Sequence, residues 1–184
     1  MRSLAVLLSL LAGPALATGL QIEVAGQANG TITIDLLDDV APKHVAQIAK
    51  LAGDGAYDGV VFHRVIEGFM AQTGDVQFGD STDDAFSMRM AGRGGSDLPD
   101  LPAEFSKVPY DRGVVGMARS QDPNSANSQF FIMFAPGYFL DGQYTVVGRV
   151  TGGMEVVDAI KRGEGPNGSV IGAPDVMKKV TVTD

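Results

Sequence analysis

Residues 62–75 read FHRVIEGFMAQTGD. The apolar run Val60 to Ile66 is a strand. Its period of two sets Phe62, Arg64 and Ile66 on one face and Val61, His63 and Val65 on the other. Gly68 breaks the run, and Phe69, Met70 and Gln72 follow it closely. Arg64 is the informative residue, because it interrupts an otherwise apolar strand. One account makes it a rim arginine paired with one of the chain's many acids. The other makes it a fixed, always-charged donor beside apolar side chains.

On the N-terminal side, Ile22 and Val24 alternate with polar residues, Gly26 to Gly30 form a hairpin turn, and Ile32, Ile34 and Leu36 resume the alternation. Pro42 suits a first helical turn. Val45, Ile48, Ala49 and Ala52 then share one helical face, which Gly53 to Gly55 terminate. His44 on this helix reads as an exposed or capping residue. On the C-terminal side, residues 76–111 are rich in glycine, proline and acids and read as long loops with at most one short strand. Asp80, Asp83 and Asp84 lack calcium-loop spacing and read as solvated. Strands follow at Arg112–Ala118, Ser128–Phe134, Thr145–Val150 and Val176–Val182, with a second helix over Met154–Arg162 facing inward through Met154, Val157 and Ile160. In residues 128–134, Phe130, Ile132 and Phe134 share one face, and Gln129, Phe131 and Met133 the other. Apolar residues on both faces imply a barrel filled inside and lined outside by a groove. No repeat or linker divides the chain. Many strands and two helices imply a closed antiparallel β barrel, mainly β in class.

Composition removes several chemistries. The chain of 184 residues contains no cysteine, only two histidines, and a formal charge of −8. Disulfides and thiolate chemistry are excluded, and little is left for a metal site. The acidity disfavours nucleic acid and anionic membranes as partners. No nucleophile elbow, phosphate loop or zinc signature occurs. His63, Asp75 and a serine could be written down as a triad, but nothing in the spacing brings them together. Residues 1–17 carry Arg2, an apolar core from Leu4 to Leu11, and Ala15-Leu16-Ala17. This pattern reads as a secretory signal peptide cut after Ala17, too short for a membrane span. It leaves residues 18–184 as one domain with no membrane contact.

Three ordered blocks carry a resemblance: FHRVIEGFMAQTGD at 62–75, GVVGMARSQDPNSANSQFFIMF at 113–134 and FLDGQYTVVGRV at 139–150. Together they resemble the cyclophilins, a family of peptidyl-prolyl isomerases, and the similarity runs from about Leu20 to Asp184. The resemblance implies a closed eight-stranded antiparallel barrel with a helix capping each end. It implies an enzyme that accelerates X–Pro rotation during protein folding, with no cofactor and no metal, and the signal peptide makes it an exported one of bacterial look. Arg64 would be catalytic. Phe69, Met70, Phe131 and Leu140 would line a proline pocket. Gln72 and the backbone at Arg119 would hold the substrate chain, beside Ala118 and Gln129, with His63 at the edge. Phe139 and Tyr144 stand where many eukaryotic relatives carry tryptophan and histidine. Partners would be proline-containing clients, met by a monomer in the periplasm or secreted beyond it. A second reading keeps the cup and drops the chemistry: a binding module or chaperone that grips proline-containing segments. Retention of Arg64 and Gln72 with the apolar residues favours the enzyme.

Overall fold

The computed structural model describes residues 18–183, so the proposed signal peptide lies outside the described residues. A hairpin opens the fold. Strand β1 (Gly19–Ala25) pairs antiparallel with β2 (Gly30–Leu36), with Ile22 opposite Ile32. Alternation turns Leu20, Ile22, Ile32 and Ile34 to the interior. Helix α1 (Pro42–Gly53) follows. Proline begins it, where the missing N–H has no intrahelical partner to lose. Val45, Ile48, Leu51 and Ala52 pack on the main core, so Leu51 takes the place expected for Ala49, which is only half-buried.

The remaining strands are β3 (Val60–Val61), β4 (Arg64–Ile66), β5 (Met70–Thr73), β6 (Val114–Met117), β7 (Phe130–Met133), β8 (Val146–Gly152) and β9 (Val176–Thr183). A short helix α2 (Met154–Ala159) sits between β8 and β9. One antiparallel sheet runs in the order β3-β9-β1-β2-β8-β6-β7-β5-β4. This corrects the closed eight-stranded barrel: among the described residues nine strands form an open, curled sheet, and no ladder joins its first strand to its last.

The seam has a physical cause. The expected single strand over Val60–Ile66 breaks at Phe62 and His63, and its halves become the two ends of the sheet. Their backbone groups bond elsewhere. Val61 N–H donates to Gly79 O at 2.9 Å, Phe62 N–H to Asp175 O at 2.9 Å, and His63 O accepts from Val170 N–H at 3.0 Å. The break also overturns the expected facing. Phe62 is fully buried in the main core with Val65, whereas Arg64 points to the opposite side.

Helix α2 ends at Ala159 rather than Arg162, because Lys161 N–H donates to the buried carboxylate of Asp175 at 2.6 Å and turns the chain. His44 is not exposed, as its sequence context suggested, but fully buried. Its Nδ1 lies 2.7 Å from Glu104 Oε2, and Glu104 also accepts from the amides of Lys43 and His44 at the start of α1. Burial raises the Glu104 pKa, but those hydrogen bonds outweigh it and hold the carboxyl below its ordinary value.

Residues 76–111 form no named strand, yet they are tied down. Asp75, fully buried, accepts four backbone N–H groups, from Gln77, Phe78, Gly92 and Gly94, at 2.7–3.1 Å. Asn127 accepts from Ser96 and donates to Leu98 O. These side chains replace the sheet bonds that the loop lacks.

Candidate active site

Two adjacent rows of cross-strand partners fix the site. Arg64 faces Gln72, Gln72 faces Phe131, and Phe131 faces Gly116. One residue along, Val65 faces Ala71, Ala71 faces Ile132, and Ile132 faces Val115. Partners in one row share a face of the sheet. The second row is interior, all four residues belonging to the main core. The first is exterior, where Met70, Phe131, Met133 and Leu140 form a separate apolar cluster. Gly116 completes it by omission: a Cβ there would collide with the rings of Phe131 and Tyr110.

A cavity of about 280 Å³ opens on this exterior face. It is lined by Arg64, Phe69, Met70, Gln72, Ala118, Arg119, Phe131, Phe139, Leu140 and Tyr144. That is below the roughly 300–1,000 Å³ of pockets for drug-sized ligands, and suits a single side chain or ring. Aromatic contacts shape its walls. Phe69 and Phe139 lie with centroids 5.5 Å apart, and Phe131 meets Tyr144 edge-on at 6.0 Å. Leu140 is buried on a short 3-10 turn, while Phe139 stands 67% exposed as a lip.

Gln129 lines a neighbouring, more polar cavity of about 510 Å³, between the Gly92–Ser96 loop and Ser120–Ser128. Gln72, Ala118 and Arg119 border both cavities, so the two form one groove. The side chain of Arg119 stacks 4.3 Å over the Tyr144 ring and donates to Gln143 O and Ser120 O. Its own backbone N–H and C=O have no partner among the described residues, so both are open to an extended chain.

His63 lines neither cavity. It is buried behind the wall, where a Cβ on Gly92 would press on its ring. Burial pushes its pKa down to about 4, with Asp75 opposing and Arg64 reinforcing the shift. At neutral pH it is therefore uncharged and adds no second positive charge next to Arg64.

Arg64 is half-buried and makes no salt bridge among the described residues, which removes the rim-arginine account. Its Nη1 donates to Gln72 Oε1 at 3.1 Å and its Nε to the backbone carbonyl of Asn167 at 2.9 Å. Gln72 donates onward to Gln129 Oε1 at 2.9 Å, and Gln129 to Gly94 O at 2.8 Å. Burial lowers the Arg64 pKa from its ordinary value, yet an arginine keeps its charge at any physiological pH. The result is a positive fork, pinned by neutral groups, with its remaining N–H groups beside an apolar cup. Such a group is a strong donor to an atom that gains electron density. Asn167, on a loop distant in sequence, was not anticipated; the only local signal was a Pro-Asn-Gly turn.

The family model "Cyclophilin type peptidyl-prolyl cis-trans isomerase/CLD" matches residues 20–182. A probable peptidyl-prolyl cis-trans isomerase of Brucella suis is 60% identical over 154 residues, covering 84% of this chain and 78% of that protein. Peptidyl-prolyl cis-trans isomerase-like 1 of Aspergillus fumigatus is 40% identical over 132 residues, covering 70% of this chain and 74% of that protein. Among solved structures, a cyclophilin from Hirschia baltica superposes with a TM-score of 0.70 at 29% identity, covering 89% of this chain and 73% of that one. A cyclophilin from Cryptosporidium parvum gives 0.75 at 24% identity, covering 92% and 99%, which bears on the fold alone.

Proposed function

The chain belongs to the cyclophilin-type peptidyl-prolyl cis-trans isomerases, and from that premise we propose that Arg64 is the donor that lowers the barrier to X–Pro rotation. The peptide C–N bond is partly double, with a rotation barrier of roughly 18–20 kcal/mol. At the twisted transition state conjugation is lost, and the prolyl nitrogen regains its lone pair. A donor aimed at that nitrogen binds the twisted form better than either planar isomer, which is the requirement for catalysis. A gain of 10⁵ in rate needs only about 7 kcal/mol.

The carrying observation is the Arg64 guanidinium, anchored without a carboxylate in the wall of the cavity formed by Met70, Phe131 and Leu140. A neighbouring carboxylate would spend the charge that the nitrogen must receive. The apolar cup takes the prolyl ring and keeps water from the guanidinium. Gln72 and the backbone of Arg119 hold the chain, and the polar cavity beside Gln129 takes the segment preceding the proline. The clients are proline-containing polypeptides, met by a monomer.

Arg2, the apolar run Leu4–Leu11 and Ala15-Leu16-Ala17 support export of a bacterial protein, and relatives in Brucella support the bacterial source. Export predicts that protein recovered from the periplasm begins at Thr18 by intact mass, whereas a periplasmic chain retaining Met1 contradicts cleavage. The donor role is tested on an X–Pro peptide in a protease-coupled assay. Arg64→Ala should lose about 10²–10³ in kcat/KM, as other single donors to a developing charge do, with an unchanged melting temperature. Near-wild-type turnover in a folded variant removes the role.

A further inference from the structure

The second anchor of Arg64 is a backbone carbonyl, and the residue that carries it has an unusual conformation. Asn167 is the one non-glycine residue at positive φ among the described residues, at φ 60° and ψ 23°. It sits in the turn Pro166–Gly168, and Gly168 follows it at φ 78°. The Asn167 side chain is exposed and makes no hydrogen bond among the described residues. Its amide is therefore not what the turn uses.

The turn is fastened to the strand that bears Arg64. Gly163 N–H donates to Val65 O at 2.8 Å, and Val170 N–H to His63 O at 3.0 Å. Ser169 bridges Arg64 antiparallel. Gly168 packs so closely on Ile66 that a Cβ there would overlap it. The turn thus covers the free edge of β4. Within this frame, the left-handed backbone at 167 decides where its carbonyl points. Left-handed geometry is open to glycine and, at low cost, to asparagine, but is disfavoured for β-branched residues.

We propose that Asn167 is a positioning residue for Arg64, its left-handed backbone aiming the carbonyl that fixes the Nε end of the guanidinium while Gln72 fixes the Nη1 end. Two anchors at opposite ends of a planar fork set its plane as well as its place. The Nη2 hydrogens and the second Nη1 hydrogen are left for the substrate. The inference rests on the donor role proposed for Arg64. It adds that the requirement at 167 is a backbone conformation and not a side chain.

The test compares Asn167→Gly, Asn167→Ala and Asn167→Val in the purified protein, with an X–Pro peptide, thermal unfolding and the Arg64 Nε–H resonance as readouts. Asn167→Gly should keep kcat within about twofold and keep Nε–H protected from solvent exchange. Asn167→Val should lose about 10- to 100-fold in kcat, the scale of a misplacement near 1 Å, with KM within about twofold and Nε–H exposed. Asn167→Ala should fall between them, and decides the matter if the valine variant does not fold. Full kcat and a protected Nε–H in the alanine or valine variant overturn the proposal. So does an equal loss in the glycine variant, which would assign the effect to the side chain. Arg64→Ala run alongside separates the claims: wild-type kcat there removes the donor role itself, whereas an inactive Arg64→Ala with a fully active Asn167→Val removes the anchor alone.

Discussion

The rows Arg64–Gln72–Phe131–Gly116 and Val65–Ala71–Ile132–Val115 cross the same four strands one residue apart. They face opposite ways. In the inner row every residue is at most 2% exposed, and all four belong to the main core. In the outer row a glycine and a charge replace two of the four side chains, and a cavity remains. Both rows hold large apolar groups. What separates a core from a site here is one residue of register and the room that Gly116 leaves for the rings of Phe131 and Tyr110. Since a one-residue slip exchanges the two faces of a strand, register itself protects the site.

The comparison predicts that stability and activity separate by row. The largest expected effect is in the inner row. Ile132→Ala should cost about 2–5 kcal/mol in denaturant unfolding, the range for buried aliphatic truncations, while the folded fraction keeps its KM and kcat within about twofold. Loss of catalysis from fully folded Ile132→Ala would break the separation.

His63 sharpens it, being buried behind the outer row rather than in it. Its ring takes a proton near pH 6.5 when unfolded but only near 4 when folded, because burial opposes the charge. The unfolded state therefore binds more protons between these values. Stability is complete above about pH 6.5 and falls as pH drops towards 4, by up to about 3 kcal/mol. His63→Gln should flatten that acid limb of the unfolding free energy. An unaltered limb would mean that His63 is not the group responsible.

The smallest effect belongs to the outer row. Phe131→Ala should raise KM for an X–Pro peptide about tenfold, equivalent to about 1.4 kcal/mol. An unchanged KM and kcat would remove Phe131 from the pocket.

Much of this was legible in the sequence. Alternation placed Phe130 and Ile132 opposite Phe131 and Met133, and the structure divides them between two clusters in that way. The hairpin around Gly26–Gly30 and the apolar face of α1 follow their local patterns. What was illegible depends on partners far along the chain. Residues 60–66 read as one strand because their side chains are apolar throughout; the break comes from backbone bonds to residues 79, 170 and 175. For the same reason the alternation sets Phe62 on the Arg64 face, whereas it belongs to the core. The burial of His44 depends on Glu104, sixty positions away. At the site, the residues brought into the cavity come from three sequence blocks whose order and content carried the resemblance. Asn167 lies outside them and contributes a carbonyl, which every residue possesses, so no side-chain pattern announces it.

The central claim is that Arg64 binds the twisted imide more tightly than the planar one. Exchange spectroscopy of a saturating X–Pro peptide measures its cis–trans rate on the enzyme, with peptide affinity from the same titration. The account predicts that Arg64→Ala slows on-enzyme exchange at least about a hundredfold while the Kd changes less than about threefold. An unchanged exchange rate on the variant, or a Kd increase that accounts for the whole loss of kcat/KM, would contradict it.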